Sequence, residues 1–423
     1  MSRDRTAALK TSSSAIVGLD IGTSKVKLVI AEPDPNGGLP IINGLGEAES
    51  KGVASGHVMN VNQAADAVRR AVEAAEQFTG IDVKRVYVSI SGKNTWSLSS
   101  TGQYTVSKAG NREINGRDVD AVIDQSSSIS RPADTQIIHV IPNEFTVDGQ
   151  PIPDPCGCTG VRLEATVQLI LANSRDCDNL RAAVERAGLQ VEEIVLGSLA
   201  ACESVLTEEE KQMGVAVIDL GAGTTNVAVY CRGSLHFAAS TSIGCEMVTS
   251  DLTKCLHIDD KQAEEIKCRY GACSVPEVAD CDVSLRGLGN RAERQEKRSR
   301  IAEYIEPRVR EILQDAQELL VRNNLTKLLV AGVVLTGGGC QINGIEKVAA
   351  DVFGDLPVAI GYPRTSATGL SRVAATPGLA TCVGLVDYAA NRIHAGESRP
   401  GAGSAGFVKT VAGGIAAVLR KLF

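Results

Sequence analysis

Two stretches of this chain repeat one another, and that repeat constrains the fold more than any other feature. Val17-Gly-Leu-Asp-Ile-Gly-Thr-Ser-Lys-Val-Lys-Leu-Val-Ile30 and Ala216-Val-Ile-Asp-Leu-Gly-Ala-Gly-Thr-Thr-Asn-Val-Ala-Val-Tyr230 align with Asp20 on Asp219 and Gly22 on Gly221. Each copy reads as an apolar strand, an Asp-x-Gly turn of small and polar residues, and a second strand. A duplicated strand–turn–strand half predicts two similar lobes facing each other. Between and around the copies, β and α patterns alternate. Residues 83–91, 94–107, 136–147 and 161–172 read as strands, and 62–80, 118–129 and 179–188 as helices. The first helix carries Ala65, Val68, Val72, Ala75 and Phe78 at helical spacing and stops on Gly80, as the third stops on Gly188. This alternation predicts an α/β fold.

Composition narrows the function. Gly is 42 of 423 residues, about one in ten against a usual frequency of about 7%. Aromatics are only 3%, which leaves few rings to stack on bases or sugars. With 43 basic and 50 acidic residues the formal charge is −7, which argues against a protein that coats nucleic acid. Of the 12 cysteines, Cys202, Cys231, Cys340 and Cys382 lie in apolar runs and read as buried thiols of a reducing cytosol. Cys156-x-Cys158 and the Cys268, Cys273, Cys281 group do not match zinc spacing. Residues 1–14 carry charges and no apolar core of the kind a signal peptide needs. Apolar runs such as 328–335 fall far short of the roughly 18 to 20 residues that span a bilayer. Any membrane contact is expected to be peripheral.

The Asp-x-Gly turns have a definite chemistry. Glycine lets backbone amides approach a ligand closely, and successive amides form a concave site for phosphate oxygens. Thr23, Ser24, Thr224 and Thr225 add hydroxyl donors. Asp20 and Asp219 would repel phosphate, so their natural role is to hold Mg²⁺ through its water shell. One such turn alone reads as readily as a tight hairpin. Two matching copies, each with an Asp, point to a grip on one phosphate chain from both sides. A third cluster, Thr336-Gly-Gly-Gly-Cys-Gln341, follows the apolar run 333–335 and precedes a helix expected from about Gly344. Such a turn lets backbone approach a base or ribose. It is neither a P-loop nor a Rossmann fingerprint.

The two Asp-x-Gly turns and the Thr-Gly-Gly-Gly turn resemble the phosphate 1, phosphate 2 and adenosine motifs of the actin/Hsp70/hexokinase ATPase superfamily. Within it the chain resembles the FtsA family of bacterial cell-division proteins over nearly its whole length. The specific signals are His139-Val-Ile-Pro-Asn-Glu-Phe-Thr-Val-Asp148, Asp154-Pro-Cys-Gly-Cys-Thr-Gly-Val-Arg162, Ile305-Glu-Pro-Arg308 and a basic amphipathic C-terminus.

The resemblance implies an actin-like two-lobe ATPase fold with an FtsA-type 1C subdomain in place of the actin 1B. It implies subdomain 1A over 15–93, 173–214 and 378–395, 1C over 94–172, 2A over 215–243 and 332–377, and 2B over 244–331. A tail (1–14), a flexible linker (396–406) and a membrane-targeting helix (407–423) complete the expectation. ATP with Mg²⁺ is implied between the lobes. Asp20, Gly22, Thr23, Ser24 and Lys25 fall on phosphate 1, and Asp219, Gly221, Gly223, Thr224 and Thr225 on phosphate 2. Gly337, Gly338, Gly339 and Gln341 fall on the adenosine motif. Glu264 and Lys267 look like the pair that frames ribose and adenine; a solvated i,i+3 ion pair is the alternative.

The implied role is a filament-forming protein that tethers FtsZ filaments to the cytoplasmic face of the inner membrane at the septum and recruits later division proteins. A small-molecule kinase of the same superfamily and an actin-like adaptor of a pilus machine are the alternatives. Hydrolysing relatives place Gln or Glu near the start of the connecting helix, where this chain has Gly197 and Ser198. Glu203 lies two turns further and reads as an ordinary helix residue, so slow or absent hydrolysis is expected, with no catalytic residue assigned.

Two charged segments complete the reading. Val408, Val411, Ile415, Val418, Leu419 and Leu422, with Phe407 and Phe423, form one apolar arc on a helical wheel. Lys409, Arg420 and Lys421 lie off it, and no acidic residue follows Glu397. Such a segment suits a reversible anchor on anionic lipid, or a terminal helix docked on its own domain. Residues 284–300 hold six basic and two acidic residues. They read as a solvated loop or, with Arg300 and Arg308, as a docking site for the acidic C-terminal peptide of FtsZ.

Overall fold

The first repeat forms the middle of a five-stranded sheet. In the computed structural model, which describes residues 15–394 except 108–111, 275–277, 290 and 367, β1 (Ile16–Ile21) and β2 (Lys25–Glu32) pair antiparallel. β2 continues to β3 (Ile41–Glu49). A small hairpin of β4 (Val53–Ala54) and β5 (His57–Val58) leads into α1 (Val61–Thr79). β6 (Arg85–Ile90) then returns parallel to β1. β1 is thus paired along both edges, and its side chains are buried on both faces, as its apolar composition requires. In α1 the Asn60 side chain caps the start by accepting from Gln63 N–H at 3.1 Å, and Gly80 ends it at φ +69°. Ala64, Val68, Ala71 and Ala75 are buried on one strip. Phe78 continues that strip in sequence, but the last helical turn leaves it 65% exposed.

An inserted unit follows. β7 (Thr95–Thr105), α2 (Gly116–Ser127), β8 (Thr135–Val147), β9 (Gln150–Ile152) and β10 (Arg162–Asn173) make an antiparallel sheet in the order β7-β10-β8-β9. The α2 side chains Val119, Val122 and Ile123 pack with Leu163, Ala165 and Val167 in a separate core. The chain then rejoins the first sheet through α3 (Ser174–Arg186) and β11 (Gln190–Leu196), giving the order β11-β6-β1-β2-β3.

α4 (Gly197–Val205) and α5 (Glu208–Met213) carry the chain to the second repeat. β12 (Val215–Leu220), β13 (Thr225–Cys231) and β14 (Ser234–Thr241) are followed by α6 (Glu246–Leu256) and α7 (Asp260–Tyr270). Next come the hairpin β15 (Asp282–Leu285) and β16 (Arg294–Lys297), α8 (Arg298–Arg322), β17 (Gly332–Thr336), α9 (Ile345–Phe353) and β18 (Val358–Ile360). β12 lies between antiparallel β13 and parallel β17, just as β1 lies between β2 and β6. α10 (Ser371–Ala374) and α11 (Ala380–His394) return to the first lobe. One pairing, Ala239 with Trp96, joins β14 to β7 and makes the second sheet continuous with the inserted one.

The run 284–300 is a solvated loop only in its centre, where the described residues of 286–293 are mostly exposed and outside any helix or strand. Val283 and Leu285 are buried, which folds its first part into the β15–β16 hairpin, and Arg298 already starts α8. Cys202, Cys231, Cys340 and Cys382 are buried as expected. The tail 1–14, the linker 396–406 and the helix 407–423 lie outside the described residues. Among those described, no helix is long and apolar enough to cross a membrane.

Candidate functional site

Both Asp-x-Gly turns are closed by the same hydrogen bond. Gly22 N–H donates to Lys25 O at 3.1 Å, and Gly221 N–H donates to Thr224 O at 2.9 Å. A Cβ on Gly22 would sit 2.9 Å from Lys25 O, and one on Gly221 2.8 Å from Thr224 O. Glycine is therefore demanded twice by the same close approach.

The fold brings the two turns together. A Cβ at Gly223 would lie 2.5 Å from Thr23 Oγ1. Asp20 ends β1 opposite Lys27, and Asp219 ends β12 opposite Asn226. Ser89 donates to Asp20 Oδ1 at 2.5 Å, and Asn226 Nδ2 donates to Asp219 Oδ2 at 3.0 Å. Asp219 is pushed up to about 6 by burial; Asn226 and Lys27 oppose this, while Asp20 adds to it. The two carboxylates are thus close enough for the charge on Asp20 to raise the Asp219 pKa further, an arrangement that could hold a cation. Asp219 is nearly closed off from solvent, whereas Asp20 is only partly buried.

The third turn completes the cluster. Gly337, at φ +88°, leaves no room for a side chain beside the Asp219 carboxylate and Leu220 backbone. Its N–H donates to Pro377 O at 3.1 Å. Gly338 faces open space, and Gly339 packs on Leu220 and Cys245. Gln341, at the end of a 3-10 turn, is exposed. A cavity of about 350 Å³ opens beside this turn between Gln341, Glu346, Tyr362 and Pro377.

Glu264 and Lys267 are more than a solvated helix pair. Lys267 Nζ is 2.6 Å from Glu264 Oε2 and donates to Thr249 Oγ1 at 2.8 Å and Cys245 O at 3.1 Å. Burial works against the Glu264 charge, but Lys267, Thr249 and Cys268 hold its pKa below the usual value. Cys245 N–H in turn donates to Gly221 O at 2.9 Å, so the pair is wired to the second turn.

Other candidates sit differently. Lys25 pairs with Glu47 at the exposed rim. The Thr225 hydroxyl donates to Ile243 O at 2.8 Å. Ser24 is exposed beside the first turn. Arg308 is bound to Asp251 at 2.6 Å and also to Glu311. Arg300 is 60% exposed and donates to Tyr304 OH at 3.0 Å. Glu203 accepts from Lys211 at 3.2 Å and from Tyr230, which fits a packing role. Lys27 was missed. Its Nζ donates to Gly378 O and it faces Asp219. The repeat itself aligns Lys27 with Asn226 and contained that signal.

Comparison with known proteins follows the same lines. Residues 216–384 match the family model described as Cell division protein FtsA, and 92–171 match the SHS2 domain inserted in FtsA. The chain is 35% identical to the cell division protein FtsA of Pseudomonas aeruginosa over 396 residues, covering 93% of both chains. The chain belongs to the FtsA family of cell division proteins. FtsA of Borreliella burgdorferi is 37% identical, with 89% of this chain and 91% of that one covered. FtsA of Escherichia coli K12 is 36% identical over the same shares.

Solved structures place this FtsA-family chain in the actin-like fold. The PilM-PilN type IV pilus biogenesis complex matches with TM-score 0.60 at 18% identity, covering 88% of this chain and 97% of that one. MreB5 of Spiroplasma citri bound to ADP matches with TM-score 0.53 at 13% identity, covering 90% and 99%. The inserted β7–β10 unit coincides with the SHS2 match that marks the FtsA family.

Proposed function

We propose that this chain is a nucleotide-dependent, membrane-tethered scaffold of cell division. ATP with Mg²⁺ sits between the lobes. Backbone amides of the turns at Gly22 and Gly221–Gly223 hold the phosphates, Thr23 and Thr224 add hydroxyls, and Asp20 and Asp219 hold the hydrated ion. The turn Gly337–Gly339 and the Glu264–Lys267 pair flank the nucleoside. The observation that carries this reading is the contact of two identically closed glycine turns, each with a carboxylate beside it: Asp219, buried, and Asp20, partly buried. Family membership and the likeness to an MreB5 with bound ADP support it.

Nucleotide acts mainly as a conformational ligand, with slow or absent hydrolysis. Glu203 is occupied by Lys211, and Gly197 and Ser198 open the connecting helix where hydrolysing relatives carry Gln or Glu. Bound nucleotide favours the state that self-associates, because only differential affinity for two states can shift them. The resulting filament gathers many weak anchors of the 407–423 type on anionic lipid and gains avidity. Arg300 at the β15–β16 end of α8 offers the acidic FtsZ C-terminal peptide a docking point. Cosedimentation of the full chain with anionic liposomes and ATP tests the reading. Binding that requires both nucleotide and residues 407–423 supports it, and nucleotide-independent binding of the chain lacking 407–423 contradicts it.

A further inference from the structure

The hairpin tip between β4 and β5 touches both phosphate turns. Gly56 N–H donates to Thr23 Oγ1 at 3.2 Å. A Cβ on Gly56 would lie 3.1 Å from Thr224 Cγ2, and one on Gly223 3.0 Å from Ser55 Cα. Ser55 itself is held at φ +46°, a conformation a non-glycine residue keeps only when its surroundings enforce it.

His57 follows two residues on. It packs against Gly92, where a Cβ would come within 3.2 Å of the imidazole. Its Nδ1 lies 3.0 Å from Asp176 Oδ2, a close approach without hydrogen-bond geometry, and both ring nitrogens are buried with no hydrogen-bond partner among the described residues. The same Asp176 oxygen accepts from Asn94 Nδ2 at 2.8 Å. Asn94 and Asp176 flank the inserted sheet: one precedes β7, the other opens α3 directly after β10. Asn173 N–H donates to Asn94 O at 3.1 Å and closes this neck. Asn173 Nδ2 also donates to Asp134 Oδ2 at 3.0 Å.

We propose that His57 is a positioning residue of the nucleotide site: buried beside the Asp176 carboxylate and seated on Gly92, it sets Gly56 against Thr23 and Thr224 and links the phosphate turns to the neck of the inserted sheet. The inference rests on the nucleotide reading above. A terminal phosphate that draws the two turns together moves Gly56, and His57 passes the shift to Asp176 and Asn94. The insertion is thereby informed of whether the cleft holds a triphosphate or a diphosphate.

The test uses the full chain, titrated with MgATP and MgADP, and amide hydrogen exchange at 53–58, 92–95 and 173–176. The wild type is expected to bind both nucleotides and to protect the neck more with ATP than with ADP. His57→Ala is expected to lose that neck difference and to weaken ATP by about tenfold, the order of one contact to a charged group, with ADP changed less. His57→Asn keeps a donor near the Nδ1 position and is expected to restore both. Asp176→Asn, which preserves shape, reads out the same link if His57→Ala folds poorly. Equal neck exchange with the two nucleotides, or an undiminished difference in His57→Ala or Asp176→Asn, overturns the inference while leaving the nucleotide site intact. A wild type that binds neither nucleotide overturns the site reading and this inference with it.

Discussion

Thr23 and Gly223 meet across the two halves of the repeat, and a side chain on Gly223 would place its Cβ 2.5 Å from the Thr23 hydroxyl. Gly223→Val is therefore expected to push the phosphate turns apart. Fluorescent ATP-analogue titration should show at least a tenfold loss of affinity, about 1.4 kcal/mol. Gly116→Ala, at the start of α2 where an added Cβ meets nothing, should bind as the wild type.

Lys27 and Lys25 separate a cleft lysine from a rim lysine. Lys27 reaches Gly378 O and faces Asp219, whereas Lys25 pairs with Glu47 in solvent. Lys27→Ala is expected to weaken MgATP several-fold and lower the melting temperature. Lys25→Ala should move stability by less than about 0.5 kcal/mol, the usual scale for exposed pairs. Calorimetric titration and thermal unfolding distinguish the two.

Asp219 gives a signed pH dependence. Its folded pKa is raised from 3.8 to about 6, chiefly by burial. The folded state therefore binds its proton more tightly than the unfolded chain. Stability from this group is full below about pH 4 and falls as pH rises through 4 to 6. Above that window the loss is complete, on the order of 3 kcal/mol. Asp219→Asn removes the ionisation and should make the nucleotide-free protein more stable than the wild type at pH 7.5. At pH 4 the two should agree. Denaturant unfolding at both pH values checks this, and an unchanged difference between them would count against the buried charge.

Arg308 and Arg300 should part company. Arg308→Glu breaks a partly buried pair with Asp251 and is expected to cost about 1–3 kcal/mol. Arg300→Glu should leave stability within about 0.5 kcal/mol but weaken an acidic FtsZ peptide measured by fluorescence anisotropy.

Much of this fold was legible because the repeat carries its own register. Asp20, Gly22, Asp219 and Gly221 are found by aligning one copy on the other, and the turns close alike. Lys27 is equally legible there, aligned with Asn226 and two residues beyond Lys25 in the turn itself. What the sequence could not carry is contact between distant segments. Nothing local says that Arg308 pairs with Asp251, 57 residues away, or that Thr225 spends its hydroxyl on Ile243. The hairpin at 53–58 is two short strands without a hydrophobic pattern, and only its packing on Thr23 and Thr224 gives it meaning. Phe78 shows the limit of periodicity: helical spacing fixes a side chain's direction, not whether anything is there to cover it.

On the proposed reading the duplicated turns grip one nucleotide together. Equilibrium titration of the full chain with MgATP tests it most directly, beside Gly22→Val and Gly221→Val, each checked for retained fold by circular dichroism. Saturable one-to-one binding is expected in the wild type, and its loss in either variant. Full-affinity binding that survives in one of the two would mean that a single turn suffices, and would contradict the shared site.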